Sequence, residues 1–332
     1  MDLSAFRMLQ AQGLGIIDVG ARGGVSPTVQ AVAPLCDVVG FEPDADEARR
    51  LQEAGRRSVP WRSLAYLPYG LGAADGERLL YLCRSPGASS FYKPNRRFVD
   101  RFPDAGRFDI VTTATVPVRS LDSLVKDSQV AMPAFIGFLK IDTQGGELEI
   151  LHGAEQVLRE QAVAVEVEVL FAPIYESPST FRDVDAFLNR CGFTLFKLRR
   201  MEWVRQAAAQ RPQISAGQLV FGDALYLRDP LSARNGGAPA QPAQLEALVL
   251  IALLYDLHDF ALELVHAPAW DGVFDRDVLR DYVGRQGRRL NSLRERCRMA
   301  KALCSASSGW RRYASRWARG DDNFYSVSNR TT

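Results

Sequence analysis

The sequence predicts an α/β fold built on a mostly parallel sheet, on three observations. Short apolar runs at Leu14 to Val19, Cys36 to Phe41 and Phe135 to Ile141 read as buried strands. Each carries or meets an acid at its carboxyl end: Asp18, Glu42 and Asp142. Between the first two runs lies a glycine-rich turn, Gly20, Gly23 and Gly24, with a helix expected from about Pro27. Strand, helix, strand in this order is a βαβ unit, and such units build parallel sheets.

The later elements follow the same logic. Pro43 and Asp44 open a helix with Ala45, Ala48, Leu51 and Ala54 on one face. Gly145 and Gly146 precede a helix with Leu148, Leu151 and Leu158 in register. Ala162 to Leu170 is a strand, and Thr180 with Asp183 forms a capping box before the next helix, which Gly192 ends. Phe193 to Leu198 and Leu219 to Leu227 are two further strands, expected as antiparallel partners at one sheet edge. Leu82 to Asp104 mixes Gly, Pro, Ser, aromatic and basic residues and reads as a long functional loop or lid. Ser232 to Ala243 reads as a linker, with helices expected over Leu245 to Val265 and Asp275 to Cys304. The expected organisation is a catalytic domain over residues 1–230, a linker over 231–244 and a helical extension over 245–332.

Composition narrows the classes. The chain has 332 residues, 47% hydrophobic and 24% charged, which excludes wholesale disorder. A net charge of only +2 argues against nucleic acid as a partner. Five scattered cysteines with no C-x-x-C pair oppose a disulfide framework or a thiolate zinc site, and favour a cytoplasmic location. No metal is expected. No apolar run reaches the roughly 20 residues of a membrane span. Charge is uneven: Arg285 to Arg319 holds eleven Lys/Arg and one acid, so the rest of the chain is acidic. Two readings of that basic stretch stay open. It solubilises a helix, or it draws the protein to an anionic surface such as the inner face of a membrane. A homodimer through the C-terminal helices is a further expectation.

In open α/β sheets a ligand sits outside the carboxyl ends of the strands, at the topological switch point. Glu42 lies 22 residues beyond Gly20, where an acid grips ribose hydroxyls. A nicotinamide site is disfavoured, because Arg22 stands where G-x-G-x-x-G needs its second glycine. Asp18 is also ill-suited beside a pyrophosphate. It suits a ligand with an amino group and a positive centre, as S-adenosylmethionine has.

Four motifs in order, IDVGARGG, VVGFEPD, FLKIDTQGGELEILHGA and EVEVLFAPIYE, resemble the FkbM family of methyltransferases over about Leu14 to Asp229. The resemblance implies a class I methyltransferase (Rossmann-like) fold, with a seven-stranded sheet, a terminal antiparallel hairpin and S-adenosylmethionine as cofactor. It implies O-methylation of a hydroxyl, on a sugar of a glycan, glycolipid or glycosylated metabolite, or on a polyketide. By position it matches Asp18, Gly20 and Gly24 to the cofactor turn, Glu42 to the ribose acid, Gly70 to Gly72 to the adenine segment and Asp142 to the acid after strand four. The expected cofactor-binding set takes Gly70 and Leu71 from the adenine segment and adds Ala21, Arg22 and Pro43, with Arg22 standing where the family more usually has Asn.

Three carboxylates are candidates for the base. Asp142 stands at a strand end, and burial there would tune it for proton transfer; its alternative role is to cap the following helix. Glu166 and Glu168 share one strand face, with Glu168 matching the family's recurring acid. Ser89, Ser90 and Phe91 of the long loop, and Tyr175, are the candidates for acceptor binding. A methyltransferase fold kept as an interaction protein without turnover is the rival from another class.

Overall fold

The computed structural model describes residues 3–211, 214–232, 241–274 and 276–285. Its framework is a seven-stranded sheet in the order β3-β2-β1-β7-β8-β10-β9. The strands are β1 (Leu14–Val19), β2 (Cys36–Phe41), β3 (Ser63–Leu67), β7 (Ile136–Ile141), β8 (Ala164–Leu170), β9 (Phe193–Trp203) and β10 (Gln218–Arg228). Strands β3, β2, β1, β7 and β8 run parallel, and β10 pairs antiparallel with both β8 and β9. This is the expected class I order with its terminal hairpin. Strand β9 runs five residues beyond the expected Leu198, through Arg199, Arg200 and Glu202, because an edge strand can point charged side chains at water.

The helices are α1 (Arg7–Gln12), α2 (Pro27–Gln30), α3 (Ala45–Ser58), α4 (Arg96–Val99), α5 (Leu121–Lys126), α6 (Glu147–His152), α7 (Glu155–Glu160), α8 (Phe181–Arg190), α9 (Pro242–Leu254) and α10 (His258–His266). Their caps explain several boundaries. Asp44 Oδ1 accepts from the backbone N–H of Asp46 and Glu47, which starts α3. Asp183 Oδ2 accepts from both the N–H and the hydroxyl of Thr180, which starts α8.

The segment between β3 and β7 departs most from the sequence reading. Strands β4 (Gly70–Leu71), β5 (Gly76–Cys83) and β6 (Ile110–Arg119) form a separate small sheet in the order β4-β6-β5. The long loop expected from Leu82 to Asp104 begins inside β5 and is not a loose lid. It contains α4 and a 3-10 turn at Pro86–Ala88. It is anchored because Ala88, Phe98, Val99 and Phe102 pack with Ile174, Tyr175 and Val220 into a core of their own.

Alternation divides the main sheet into two buried faces. Ile17, Val19, Leu139, Ile141, Val165 and Val167 face α6, α7 and α8. Leu14, Ile16, Phe138, Ala164 and Leu225 face the other way, onto α9. Helix α9 is apolar on every side because it lies between that face and both α1 and α10. It starts at Pro242, inside the expected linker, whose residues 233–240 lie outside the described set, as does the basic stretch from 286. No described helix is long and apolar enough to cross a membrane.

Glu246 is the one buried charged residue of α9, and it ties that helix to α1. Its carboxylate accepts from the backbone N–H of Met8 (2.9 Å) and Leu9 (3.0 Å), free donors in the first turn of α1. Glu246→Ala leaves those donors buried without a partner. We expect a loss of about 1–3 kcal/mol, read as a lower urea midpoint at unchanged slope.

Candidate active site

Register assembles the site. Val19 of β1 lies opposite Phe41 of β2 on one side and Ile141 of β7 on the other. The next residues, Gly20, Glu42 and Asp142, therefore emerge side by side, at the point where the strand order reverses. Backbone hydrogen bonds extend the pairing: Gly20 and Ala21 N–H donate to Phe41 O, and Asp142 N–H donates to Val19 O. Gly20 sits at φ 76°, and a Cβ there would lie 2.0 Å from the Asp142 carbonyl oxygen. Only glycine fits.

A cleft opens over these ends. Its floor includes Val19, Gly20, Arg22, Glu42, Pro43, Asp142, Thr143 and Gln144. The small sheet supplies the far wall through Gly70, Leu71, Leu80 and Leu82, with Ser89, Ser90 and Phe91 above. Phe91 lies flush on Gly70, whose Cβ would come within 2.6 Å of the ring. Arg78 stacks on Phe91 and Tyr92 and pairs with Glu149, which also accepts from the Tyr92 hydroxyl at 2.6 Å. That clasp fixes the wall to α6.

Seven of the ten expected cofactor residues line this cleft: Gly20, Arg22, Glu42, Pro43, Gly70, Leu71 and Asp142. The other three do not. Ala21 is buried against Gly40. Gly24 opens instead onto a second hollow beside Leu51 and Tyr66. Asp18 stands beneath the turn, 2% exposed, with Lys140 Nζ 3.6 Å from Oδ1 and no hydrogen-bond partner on either oxygen among the described residues. Burial raises the Asp18 carboxyl above its ordinary range, against the pull of Lys140. Glu42 Oε1 accepts from Asp44 N–H at 3.0 Å, and Oε2 lies 3.5 Å from Arg22 Nε. Burial raises Glu42 as well.

The three candidate bases separate by environment. Asp142 lines the cleft with its side chain 39% exposed, so the expected burial is absent. It does not cap α6 either, since the residue before that helix, Gly146, has no side-chain cap. Glu168 is buried, accepts from Gln144 Nε2 at 3.0 Å, and has its carboxyl pushed well above the usual range by burial, with Asp142, Glu147 and Asp223 nearby. Glu166 accepts from the Tyr255 hydroxyl at 2.7 Å and lies opposite Lys140 in the register. It is occupied as a support.

Of the residues expected to meet an acceptor, Phe91 lines the cleft. Ser89 Oγ accepts from Cys83 N–H, while Ser90 Oγ donates to Gln144 O at 2.7 Å and accepts from Tyr92 N–H. Their hydroxyls hold the loop in shape. Tyr175 is fully buried, its hydroxyl within reach of Ala88 O and Gln144 Oε1. It braces the site from behind.

Residues not singled out in the sequence complete the picture. Lys140 lies between Asp18 and Glu166 in the register and 4.0 Å from Asp142. Its alternation with Asp142 was the available signal. Gln144, at φ 62°, bridges Asp142 and Glu168. Glu147 is fully buried and accepts from the N–H groups of Thr143 and Gly145.

The strand order with its antiparallel hairpin, and the glycine turn where that order reverses, define a class I, Rossmann-like methyltransferase fold. The chain belongs to the FkbM family: the Methyltransferase FkbM domain matches residues 18–195. Among solved structures it is similar to the FkbM methyltransferase of Methylobacillus flagellatus KT, with 14% identity over 64% of this chain and a TM-score of 0.34. The match spans 44% of that longer chain. It is also similar to magnesium protoporphyrin IX methyltransferase of Synechocystis PCC 6803, with 9% identity, 68% and 76% coverage of the two chains, and a TM-score of 0.33. No curated protein matches.

Glu147 generates a pH prediction. Burial lifts its carboxyl to about 7 from an ordinary 4.5. Between these values the unfolded chain has released the proton that the folded chain keeps, so stability falls as pH rises through this window. In Glu147→Gln that slope should lessen, by at most about 1.4 kcal/mol per pH unit. Urea denaturation from pH 4.5 to 7.5 on both proteins measures it.

Proposed function

We propose that the protein methylates a hydroxyl on a sugar of a glycan, glycolipid or glycosylated metabolite, using S-adenosylmethionine, with Asp142 as the base. The observation that carries this is the register-aligned meeting of Gly20, Glu42 and Asp142 at one cleft.

The residues fit the cofactor on the structure's own terms. The turn at Gly20 leaves no room for a Cβ, so backbone meets backbone there. Asp18 offers two buried oxygens without hydrogen-bond donors, suited to an amino group. Glu42 Oε2 faces only the Arg22 side chain at 3.5 Å, where a ribose hydroxyl can compete. Gly70, Leu71 and Phe91 supply a flat apolar slot for a purine.

When bound, the cofactor supplies an electrophilic methyl group on a sulfonium. This chain's tasks are then to align the acceptor oxygen and to take its proton at Asp142. Positioning of this kind contributes roughly 7–11 kcal/mol in favourable cases. The acceptor proton moves to an Asp142 carboxylate oxygen, and Lys140 Nζ lies 4.0 Å from Oδ2. A sugar suits the floor because carboxylates accept hydrogen bonds from its hydroxyls. Tyr69 gives its apolar face a wall. A polyketide hydroxyl is the alternative acceptor, favoured by the apolar lining at Leu80 and Leu82.

Two measurements test this. Calorimetric titration with S-adenosylhomocysteine should show binding that weakens about 10- to 100-fold in Glu42→Ala, as expected for losing a hydrogen bond to a charged group. Methyl transfer from labelled S-adenosylmethionine, screened over sugar and polyketide hydroxyls, should select sugars. There Asp142→Asn should lose about 10²–10⁴-fold in kcat while keeping cofactor affinity. Transfer to polyketides alone overturns the acceptor, and absence of binding by folded wild type overturns the reading.

A further inference from the structure

We propose that Gln144 is a positioning residue that ties Asp142 and Glu168 into one carboxyl pair holding a single proton, with Asp142 the charged member facing the acceptor. This rests on the function proposed above and extends it to the division of labour between the two acids.

The geometry around Gln144 is fully determined. Its Nε2 donates to Asp142 Oδ1 at 2.9 Å and to Glu168 Oε1 at 3.0 Å, so both amide hydrogens are used. At the other end, Oε1 accepts from the Tyr175 hydroxyl at 3.0 Å. Turning the amide over would aim its oxygen at two carboxyls, so the orientation is fixed by its surroundings. The backbone is held too: Gln144 O accepts from Ser90 Oγ at 2.7 Å, and the next N–H, of Gly145, donates to Glu147.

The backbone at φ 62° is left-handed, a conformation that glycine adopts at no steric cost. Glycines occupy the next two positions, Gly145 and Gly146. What Gln144 adds over a third glycine is its amide, and that amide is spent on the two carboxyls.

Two carboxylates bound to one nitrogen, with one of them buried, do not both ionise cheaply. Their surroundings decide which one keeps the proton. Glu168 faces acids from each element around it: Asp142 after β7, Glu147 on α6 and Asp223 on β10, with the Tyr175 hydroxyl beside it. The guanidinium of Arg107 is a more distant neighbour, and Arg199 is paired with Asp223. Asp142 has Lys140 at 4.0 Å and water on its exposed side. Asp18 and Glu166 share that lysine. Burial and the acids facing it hold the proton of the pair on Glu168. Glu168 remains a neutral acid at the back of the cleft, and the Gln144 amide couples the titration of the two.

The test needs no acceptor. Carboxyl carbon resonances of the full chain, labelled at Asp and Glu and assigned with Asp142→Asn and Glu168→Gln, are followed against pH. Wild type should show the two carboxyls responding together, each reporting two steps. In Gln144→Met, which keeps the shape and removes the donor, the pair should titrate higher by about one pH unit. Gln144→Gly, which suits the left-handed backbone, should give the same shift. Calorimetric titration of the wild type with S-adenosylhomocysteine runs alongside. Independent single-step titration in wild type, or a shift in neither variant, overturns the proposal. Wild type that shows the coupled pair but binds no S-adenosylhomocysteine overturns the proposed function and leaves the carboxyl pair standing.

Discussion

Everything at the site depends on one close approach, the backbone of Gly20 against the carbonyl of Asp142. Parallel pairing of β1 with β7 carries the chain to that contact, and the left-handed φ at Gly20 turns it away immediately afterwards. A side chain there would push β1 and β7 apart at their carboxyl ends. The cofactor turn and the acid after β7 would then separate. The same register brings Glu42 alongside from β2. Binding residue and candidate base are thus placed by sheet geometry rather than by loops, which gives them the rigidity that alignment requires.

That placement has an electrostatic consequence. Strand alternation puts Asp18, Lys140 and Glu166 in one row on one face, and Glu168, Asp223 and Arg199 in another. Acids outnumber bases in these rows, and the buried ones respond by holding protons: Asp18, Glu166 and Glu168 are all raised by burial. Lys140 lies centrally, near Asp18, Asp142 and Glu166, and its charged form is favoured by them against the cost of burial. A single cation thus biases where negative charge resides across three strands.

The sequence made six of the seven main-sheet strands legible, as apolar runs closed by turns or acids, and the last two as an edge pair. The edge strand β3 was missed, because Ser63–Leu67 is short and only half-buried. The small sheet was missed too. Strand β5 has exposed and half-buried residues in irregular order, and β6 shows water most of its first half, so neither gives a two-residue hydrophobic period. Leu82 to Asp104 looked like a lid because Gly, Pro and Ser dominate it locally. Its anchors Phe98, Val99 and Phe102 find their partners, Ile174, Tyr175 and Val220, far along the chain. The cleft floor was legible through spacing, as with Gly20 and Glu42. Which acid is exposed was not, because Asp142 and Glu168 differ only in what the tertiary fold lays over them. The hydroxyls of Ser89, Ser90 and Tyr175 are spent on Cys83 N–H, Gln144 O and Ala88 O, contacts that no spacing rule reveals.

The C-terminal helices connect to this network as well as to the core. Helix α9 ends at Leu254, and the next residue, Tyr255, turns its hydroxyl to Glu166. Lys197 of β9 donates to the Tyr255 carbonyl, fixing that end of the helix to the sheet edge. The other end is fixed by Glu246, which holds α1, and α1 leads through Gly13 directly into β1 and Asp18. A change in how α9 sits would therefore reach the carboxylates by two routes. One passes through Tyr255 and Glu166 to Lys140, the other through α1 and β1 to Asp18. Both routes meet at the ion pair between Lys140 and Asp18, below the glycine turn. Helix α9 is thus part of the structure that holds the charged row beneath the cleft in place, although it contributes no residue to the cleft lining.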